Sequence, residues 1–278
     1  MSPEVTGIVG IIVLLLLFLI RVPVAFAMAL VGLAGFFYLS SSQAALSSLS
    51  RDFFVTFTSY PLSAIPMFIL MGSFAFAAGI SRRLYDTAYD WVGQFRGGLT
   101  MATVLGCAGF AAICGSSTAT AATMGRIALP EMKRYNYDDT LATGTVAAAG
   151  TLGVLIPPST ILLVYGFLTE ESIGKLFVAG IFPGILLSLF FLLTVYIICM
   201  RNPTLGPPGP PVSWRKKAGA LTGVFEAMIL FGLVIGGLFL GWFSPTKAGA
   251  IGAFGALLIG LVRRELSWRS FFEAARDA

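Results

Sequence analysis

The chain has 278 residues, of which 57% are hydrophobic and 11% charged, with a formal net charge of +5 at neutral pH and no histidine. A mean hydropathy of +0.89 excludes a disordered chain and an ordinary soluble domain, and calls for a bilayer as solvent. The positive charges fall in short clusters between apolar runs, an orientation signal rather than a nucleic-acid surface, and Cys107, Cys114 and Cys199 suggest neither a disulfide framework nor Cys/His metal spacing.

Apolar segments long enough to cross a membrane run over about 6–20, 22–40, 62–80, 141–168, 173–200, 218–241 and 244–262. The first is preceded by Glu4 and followed by Arg21, the wrong polarity for a cleaved signal despite the sequence AFA at 25–27, so a retained helix is expected. Residues 41–60, rich in serine and phenylalanine, read as interfacial, and SRRLYDTAYDWVGQFRGG from Ser81 as an amphipathic arm at the surface.

The segment 98–130 is different. Its apolar flanks surround GSS, Gly115–Ser117, and are too long together for one helix and too short on the second side for a comfortable crossing. Arg82, Arg83 and Arg96 precede it; Arg126, Lys133 and Arg134 follow it. The positive-inside rule places both clusters on the cytoplasmic side, which one crossing between them forbids. A re-entrant helical hairpin with GSS at its tip satisfies the rule, provided the turn is buried in protein or lines a cavity. A second irregularity lies in the following segment, about 141–168, where Pro157 and Pro158 break an intramembrane helix, Gly150 and Gly153 thin the preceding turn, and Thr151 and Ser159 flank the break.

Carrying that orientation along the chain puts the N-terminus and 169–172 outside, and 82–96, 131–138, the linker 201–217 and the segment 263–278 in the cytoplasm. The chain's start and end also resemble each other: Pro23 and Pro245 each stand at a helix entrance, each after an apolar run and each before a surface-helix candidate, with opposite orientation in the membrane. Inverted repeats with discontinuous helices mark many secondary transporters. On this reading the first unit is complete to about 200 and the second stops after its surface helix, as in a C-terminally truncated transporter. The expected organisation is scaffold helices and an interfacial helix in 1–60, half of a transport domain in 61–200, a cytoplasmic linker in 201–217, and the scaffold start of a second repeat in 218–278.

Four readings compete for GSSTATAAT. Small residues permit close helix packing, and Ser or Thr can bond a preceding carbonyl. Hairpin ends expose N–H and C=O groups suited to a solute or to Na⁺, for which hydroxyl and carbonyl oxygens are hard ligands. A serine-hydrolase site lacks a histidine, and a channel lacks a repeated filter or charged ring. The partner break at IPPS favours the ion or solute site. Glu131, Asp138 and Asp139 read as loop anchors beside Lys133 and Arg134, while Arg126 is close enough to the hairpin to attract a carboxylate. Glu226 sits inside an apolar run, the costliest placement in the chain, and needs a partner or an escape to the interface.

GSSTATAATMGRIALPEMKR at 115–134, GTLGVLIPPSTILLVYG at 150–166 and PTKAGAIGAFGALL at 245–258 resemble motifs of the large membrane subunit (DctM-like, M subunit) of tripartite ATP-independent periplasmic (TRAP) transporters. The resemblance implies an all-α polytopic protein of the bacterial inner membrane, an inverted-repeat elevator-type transporter with a re-entrant hairpin, a broken helix and an incomplete second repeat. It implies Na⁺-driven uptake of an organic acid such as a C4-dicarboxylate or sialic acid, without ATP hydrolysis and without enzymatic activity or a resident cofactor. A periplasmic substrate-binding protein and a small four-helix membrane subunit are the implied partners. By the same resemblance Gly115, Ser116 and Ser117 form the hairpin tip, Thr118 beside them is a further ion- or substrate-binding residue, and Gly150, Thr151, Pro157, Pro158 and Ser159 form or shape the facing ion and substrate site. Ser117 and Thr151, with backbone carbonyls near 115–117 and 151–157, are the expected Na⁺ ligands. The competing expectation is a truncated, transport-inactive membrane fragment that binds partner subunits.

Overall fold

A computed structural model describes residues 2–277; Met1 and Ala278, the outermost residues of the expected N-terminal scaffold and C-terminal cytoplasmic segments, lie outside the described residues. Every regular element among the described residues is helical, and the chain divides into two compact units, Met1–Ser59 and Tyr60–Ala278.

In the first unit, Ser2 caps helix α1 (Pro3–Leu19) by accepting the Val5 N–H, and proline at the first helical position fits because its missing N–H would be unpaired there anyway. Helix α2 (Val24–Leu39) follows Pro23, and α1 packs beside it with Gly10 near the Val31 side chain. Helix α3 (Ser42–Phe57) is capped by Ser41 and keeps Phe53, Phe54 and Phe57 exposed, with Phe53 and Phe57 stacked one turn apart. Most apolar side chains of α1 and α2 are exposed; Ala27 is the buried residue. Such a surface is stable only against lipid or another protein.

The second unit opens with a 3₁₀ turn (Tyr60–Ser63) and helix α4 (Ala64–Ala77). Gly79, at φ +67°, turns the chain into α5 (Ile80–Val92), which buries Ile80, Leu84 and Tyr85 on one face and exposes Arg82 and Asp86 on the other. After Gly97 the chain forms α6 (Gly98–Cys114), buried nearly throughout, then α7 (Ser117–Arg134). Helix α7 continues through Pro130 to Arg134, beyond the expected end near 130, because a proline removes one intrahelical bond without obliging the helix to stop in its last turn. Asp138 caps α8 (Asp139–Gly150); a short α9 (Leu152–Leu155) precedes the unwound stretch 156–159, and Ser159 caps α10 (Thr160–Leu168). Helix α11 (Ile173–Arg201) is the longest, at 29 residues.

Residues 202–213 form a strap rather than a free tether. Asp138 N–H donates to the Leu205 carbonyl (3.0 Å), Gly97 N–H to the Gly206 carbonyl (2.9 Å), and Gly209 N–H to the Gly93 carbonyl (2.8 Å). The Tyr137 hydroxyl donates to the Pro207 carbonyl (2.8 Å) and accepts the Leu99 N–H (3.2 Å), so the strap holds the base of α6 and the α7–α8 junction together. Ser213 then caps α12 (Trp214–Ala220), which starts four residues inside the segment read as linker, and leads into α13 (Thr222–Phe231). Lys217, assigned to that linker by its charge, is only 5% exposed; its ammonium donates to the Trp91 carbonyl (3.4 Å) and lies over the Trp214 ring. A π-helical turn over Gly232–Gly236 joins α13 to α14 (Gly237–Phe239). Gly241 turns the chain, Ser244 caps α15 (Pro245–Val262), and amphipathic α16 (Trp268–Asp277) follows.

The core of this unit is continuous from α4 through α6, α11 and α13 to α15. Gly249 brings α15 against the Cβ of Met67 and the backbone of Phe68, and Gly252 brings it against Met71, so α4 and α15 lie in close apposition. Glu226 finds its partners within the chain. Its carboxylate accepts from the Arg83 guanidinium (2.7 Å) and from Arg263 Nε (2.6 Å), and Arg83 also reaches Glu265 (2.9 Å), so α5, α13 and the end of α15 share one ionic cluster.

Five helical stretches are long and apolar enough to cross a membrane: Tyr60–Ala77, Asp139–Leu168, Ile173–Arg201, Trp214–Phe239 and Pro245–Val262. Pro3–Leu19, Val24–Leu39 and Gly98–Cys114 are shorter apolar helices. The fold is that of an all-α polytopic membrane protein.

Candidate functional site

The two irregular segments meet. Helix α6 ends because Gly115 takes φ +64°, a left-handed conformation that a side chain disfavours, and Ser116 restarts the chain as the N-cap of α7. The Gly115 carbonyl accepts both the N–H and the hydroxyl of Thr160, each at 3.1 Å. A Cβ on Gly115 would strike the Pro158 carbonyl. A Cβ on Gly153 would lie 2.6 Å from the Ser116 carbonyl and 2.9 Å from the Ser117 nitrogen, and one on Gly150 would lie 2.7 Å from the Ala121 Cβ. The glycines of the broken helix therefore let its backbone touch the hairpin turn directly. On the opposite side Gly180 and Gly184, one turn apart on α11, receive the Leu155 carbonyl and the Ile156 side chain. The break is thus held between the hairpin turn and a glycine-lined face of α11.

Within this contact the expected site residues take different positions. Gly115, Gly150, Pro157, Pro158 and Ser159 are buried; Ser116 and Ser117 are half-buried; Thr118 and Thr151 are exposed. The peptide bond between Pro157 and Pro158 is cis. Ser159 is engaged on both sides of its hydroxyl, donating to the Val154 carbonyl (2.5 Å) and accepting the Leu162 N–H (3.3 Å), so it shapes the break. The Ser116 hydroxyl accepts the Ala119 N–H (3.4 Å) and lies 3.2 Å from the Thr118 hydroxyl. Thr151 donates to the Ala148 carbonyl (2.6 Å), which leaves its oxygen lone pairs as acceptors. The two Thr160 bonds occupy both acceptor directions of the Gly115 carbonyl, so that oxygen ties the two elements together.

Two residues of this region carry no signal strong enough to single them out in the sequence. Thr160 hides behind Ser159 as an ordinary first-turn residue, yet it forms the bridge to Gly115. Thr120 is fully buried one turn into α7, and its hydroxyl has no hydrogen-bond partner among the described residues. The hydroxyl run 116–120 hints at it through i, i+4 spacing from Ser116.

Beside the turn lies a cavity of about 370 Å³ between α4 and the α6–α7 pair, with Ser73, Ser116, Thr118, Thr123 and Arg126 among its lining residues. No group of three or more His, Cys, Asp or Glu side chains that could hold a metal ion occurs among the described residues. All three cysteines are free and buried.

Comparison with known proteins gives this arrangement its context. The chain is 41% identical over 220 residues to a C4-dicarboxylate TRAP transporter large permease protein, DctM, of Pseudomonas aeruginosa, covering 79% of this chain and 51% of that protein. It is 36% identical over 267 residues to an isethionate TRAP transporter permease protein, DctMQ, of Oleidesulfovibrio alaskensis, covering 95% and 41% respectively. It is 30% identical over 273 residues to a sialic acid TRAP transporter permease protein, SiaT, of Haemophilus influenzae, covering 97% and 43%. The chain spans about half the length of the curated relatives it matches. Residues 11–278 match the profile of the tripartite ATP-independent periplasmic transporter, DctM component. With its long apolar helices, glycine-thinned helix contacts and interlocked turn and break, this multi-pass inner-membrane chain belongs to the DctM family of TRAP transporter large permease subunits, which are transporters rather than enzymes.

Proposed function

We propose that this chain forms part of a permease that couples Na⁺ entry to the uptake of an organic acid, a C4-dicarboxylate, sialic acid or a related carboxylate. A periplasmic binding protein delivers the solute, and a small four-helix membrane subunit completes the complex. The observation that carries this reading is the direct backbone contact between the Gly115–Ser117 turn and the break at 150–159, which brings two interrupted helices together. Oxygen ligands suit Na⁺, which needs no carboxylate to be held when several dipoles point at it.

In the proposed site Ser117 and Thr151 offer hydroxyl oxygens. The Ser117 hydroxyl makes no protein hydrogen bond among the described residues, and the Thr151 proton is committed to Ala148. Carbonyls of Ser116, Ser117 and 151–157 supply the remaining oxygens, while Gly115, Gly150, Pro157, Pro158 and Ser159 set the backbone path. The α6–α7 pair acts as a re-entrant hairpin and moves together with α8–α10, since the Thr160–Gly115 bonds and the Gly153 contact join them. Segments 1–60 and 218–278, α15 among them, belong to the static scaffold of an elevator. The recurrence of proline-led α2 and α15, each followed by an amphipathic helix, supports an inverted repeat whose second copy is partial in this chain.

The test is uptake of labelled succinate and N-acetylneuraminate into proteoliposomes holding this chain with its two partners. An inward Na⁺ gradient is expected to drive accumulation that a K⁺ gradient does not. Ser117→Ala combined with Thr151→Ala is expected to raise the Na⁺ concentration for half-maximal uptake at least about tenfold, the loss of roughly 1.4 kcal/mol of ion binding. Uptake equal to empty liposomes overturns the transport reading for this chain, and an unchanged Na⁺ response in the double variant overturns the ligand assignment.

A further inference from the structure

We propose that the cavity between α4 and the α6–α7 pair is an anion subsite, in which the Arg126 guanidinium holds a carboxylate or sulfonate group of a small organic solute. The inference rests on the transport reading above and adds to it the group that recognises the solute's charge. Ala119, Ala122, Thr123 and Arg126 fall at i, i+3, i+4 and i+7 on α7, so one stripe of the helix lines the cavity. Thr123 is 8% exposed, and Arg126 is exposed and lines the cavity. Across from them α4 contributes Ser73, while Phe76 and Phe110 supply apolar wall.

Arg126 brings a positive charge to this cavity. Arg126 has no carboxylate within ion-pair distance among the described residues, whereas Arg83 pairs with Glu226 and Glu265, and Arg263 with Glu226. Arg126 therefore presents to the cavity a positive charge that no side chain neutralises, and an anionic solute supplies the missing counter-charge. Arginine presents a planar fork that matches a carboxylate or sulfonate through two parallel hydrogen bonds. The opposite end of the cavity is different in kind: Ser116 and Thr118 offer hydroxyls at the turn, and eight residues of helix separate Thr118 from Arg126, about 12 Å of rise. A volume of about 370 Å³ fits a small organic acid with one charged end at Arg126 and a hydrogen-bonding end at the turn. The hydroxyl end also borders the proposed Na⁺ site, which places ion and solute on adjoining faces of one turn.

The experiment is equilibrium binding of labelled succinate and N-acetylneuraminate to the purified full chain in nanodiscs, with Na⁺ or choline as the cation. The original chain is expected to bind at least one of the two. Arg126→Gln is expected to weaken that binding at least tenfold with an unshifted thermal transition, and Arg126→Lys, which keeps the charge but loses the fork, to weaken it less than Arg126→Gln does. Succinamide, which keeps the shape without the charge, is expected not to compete. Arginine-dependent binding that persists in choline supports the subsite and counts against Na⁺ coupling. Na⁺-dependent binding that survives Arg126→Gln overturns the subsite and leaves the ion reading standing. No binding of either acid to the folded original chain overturns the subsite outright. If Arg126→Gln lowers the thermal transition, the Lys variant decides: with its transition unshifted, weakened binding supports the assignment and binding equal to the original chain's overturns it.

Discussion

Gly115 meets two demands that no other residue meets together. Its φ of +64° is left-handed, and the place of its missing Cβ is filled by the Pro158 carbonyl. The backbone alone makes alanine unfavourable by about 1 kcal/mol, and the clash with a backbone atom adds to that because the Thr160 bonds prevent Pro158 from moving away. Gly115→Ala is therefore expected to destabilise the second unit by about 2–4 kcal/mol, read as a fall in the thermal transition in detergent. Thr160→Val is the gentler probe of the same junction. It deletes the side-chain bond to Gly115 but keeps the backbone one, so an expected loss of about 1 kcal/mol separates the hydroxyl's share. A loss at Thr160→Val as large as that at Gly115→Ala contradicts this division. The glycine and the prolines are visible in the sequence because their backbone limits are local. Thr160 is not, because its partner lies 45 residues away.

Between elements, one ionic cluster and one strap decide how α5 is held. Arg83 and Glu226 side chains are 19% and 13% exposed, enough burial for the pair to outweigh an ordinary surface bridge. Glu226→Gln leaves Arg83 with Glu265 and leaves Arg263 without its carboxylate, and an expected loss of about 3 kcal/mol follows. A double-mutant cycle with Arg83→Ala checks the coupling directly: an interaction term of at least about 1 kcal/mol is expected, and additive effects contradict the cluster. Further along α5, Thr87 donates to the Ala220 carbonyl (2.9 Å) and Trp91 to the Lys217 carbonyl (3.1 Å), while Asp90 pairs with Lys216 (2.9 Å). The arm is thereby joined to α12 and α13 along its length. Tyr137→Phe removes the phenol that joins strap to hairpin base, and is expected to cost about 1–2 kcal/mol and speed proteolysis within 202–213.

At the scale of the molecule, the charges between apolar helices set orientation. The periplasmic side is expected to carry 169–172 and the cytoplasmic side 201–213, on either side of the 29 residues of α11. Glu171→Cys is expected to react with a membrane-impermeant maleimide in intact cells, and Asn202→Cys only after the membrane is opened; the three native cysteines are buried and leave little background. Labelling of both positions from one side contradicts the topology. The apolar exteriors of α1, α2 and α11 remain exposed in the isolated chain and suit lipid or a membrane partner.

The sequence by itself determined the class of solvent, the positions of most helices, and the two places where helices stop inside apolar segments. Hydropathy, caps such as Ser159 and Ser244, and the backbone limits of glycine and proline act over a few residues, so a linear reading reaches them. It also carried the family, through motifs that are contiguous in the chain. Only the tertiary structure decided which carbonyl at the hairpin turn is already occupied, where Glu226 finds its counterions, and that 202–213 is a strap. Those outcomes depend on partners such as Thr160 for Gly115 and Arg83 for Glu226, 45 and 143 residues away. Polarity states that a buried group needs a partner, and packing selects which one it receives.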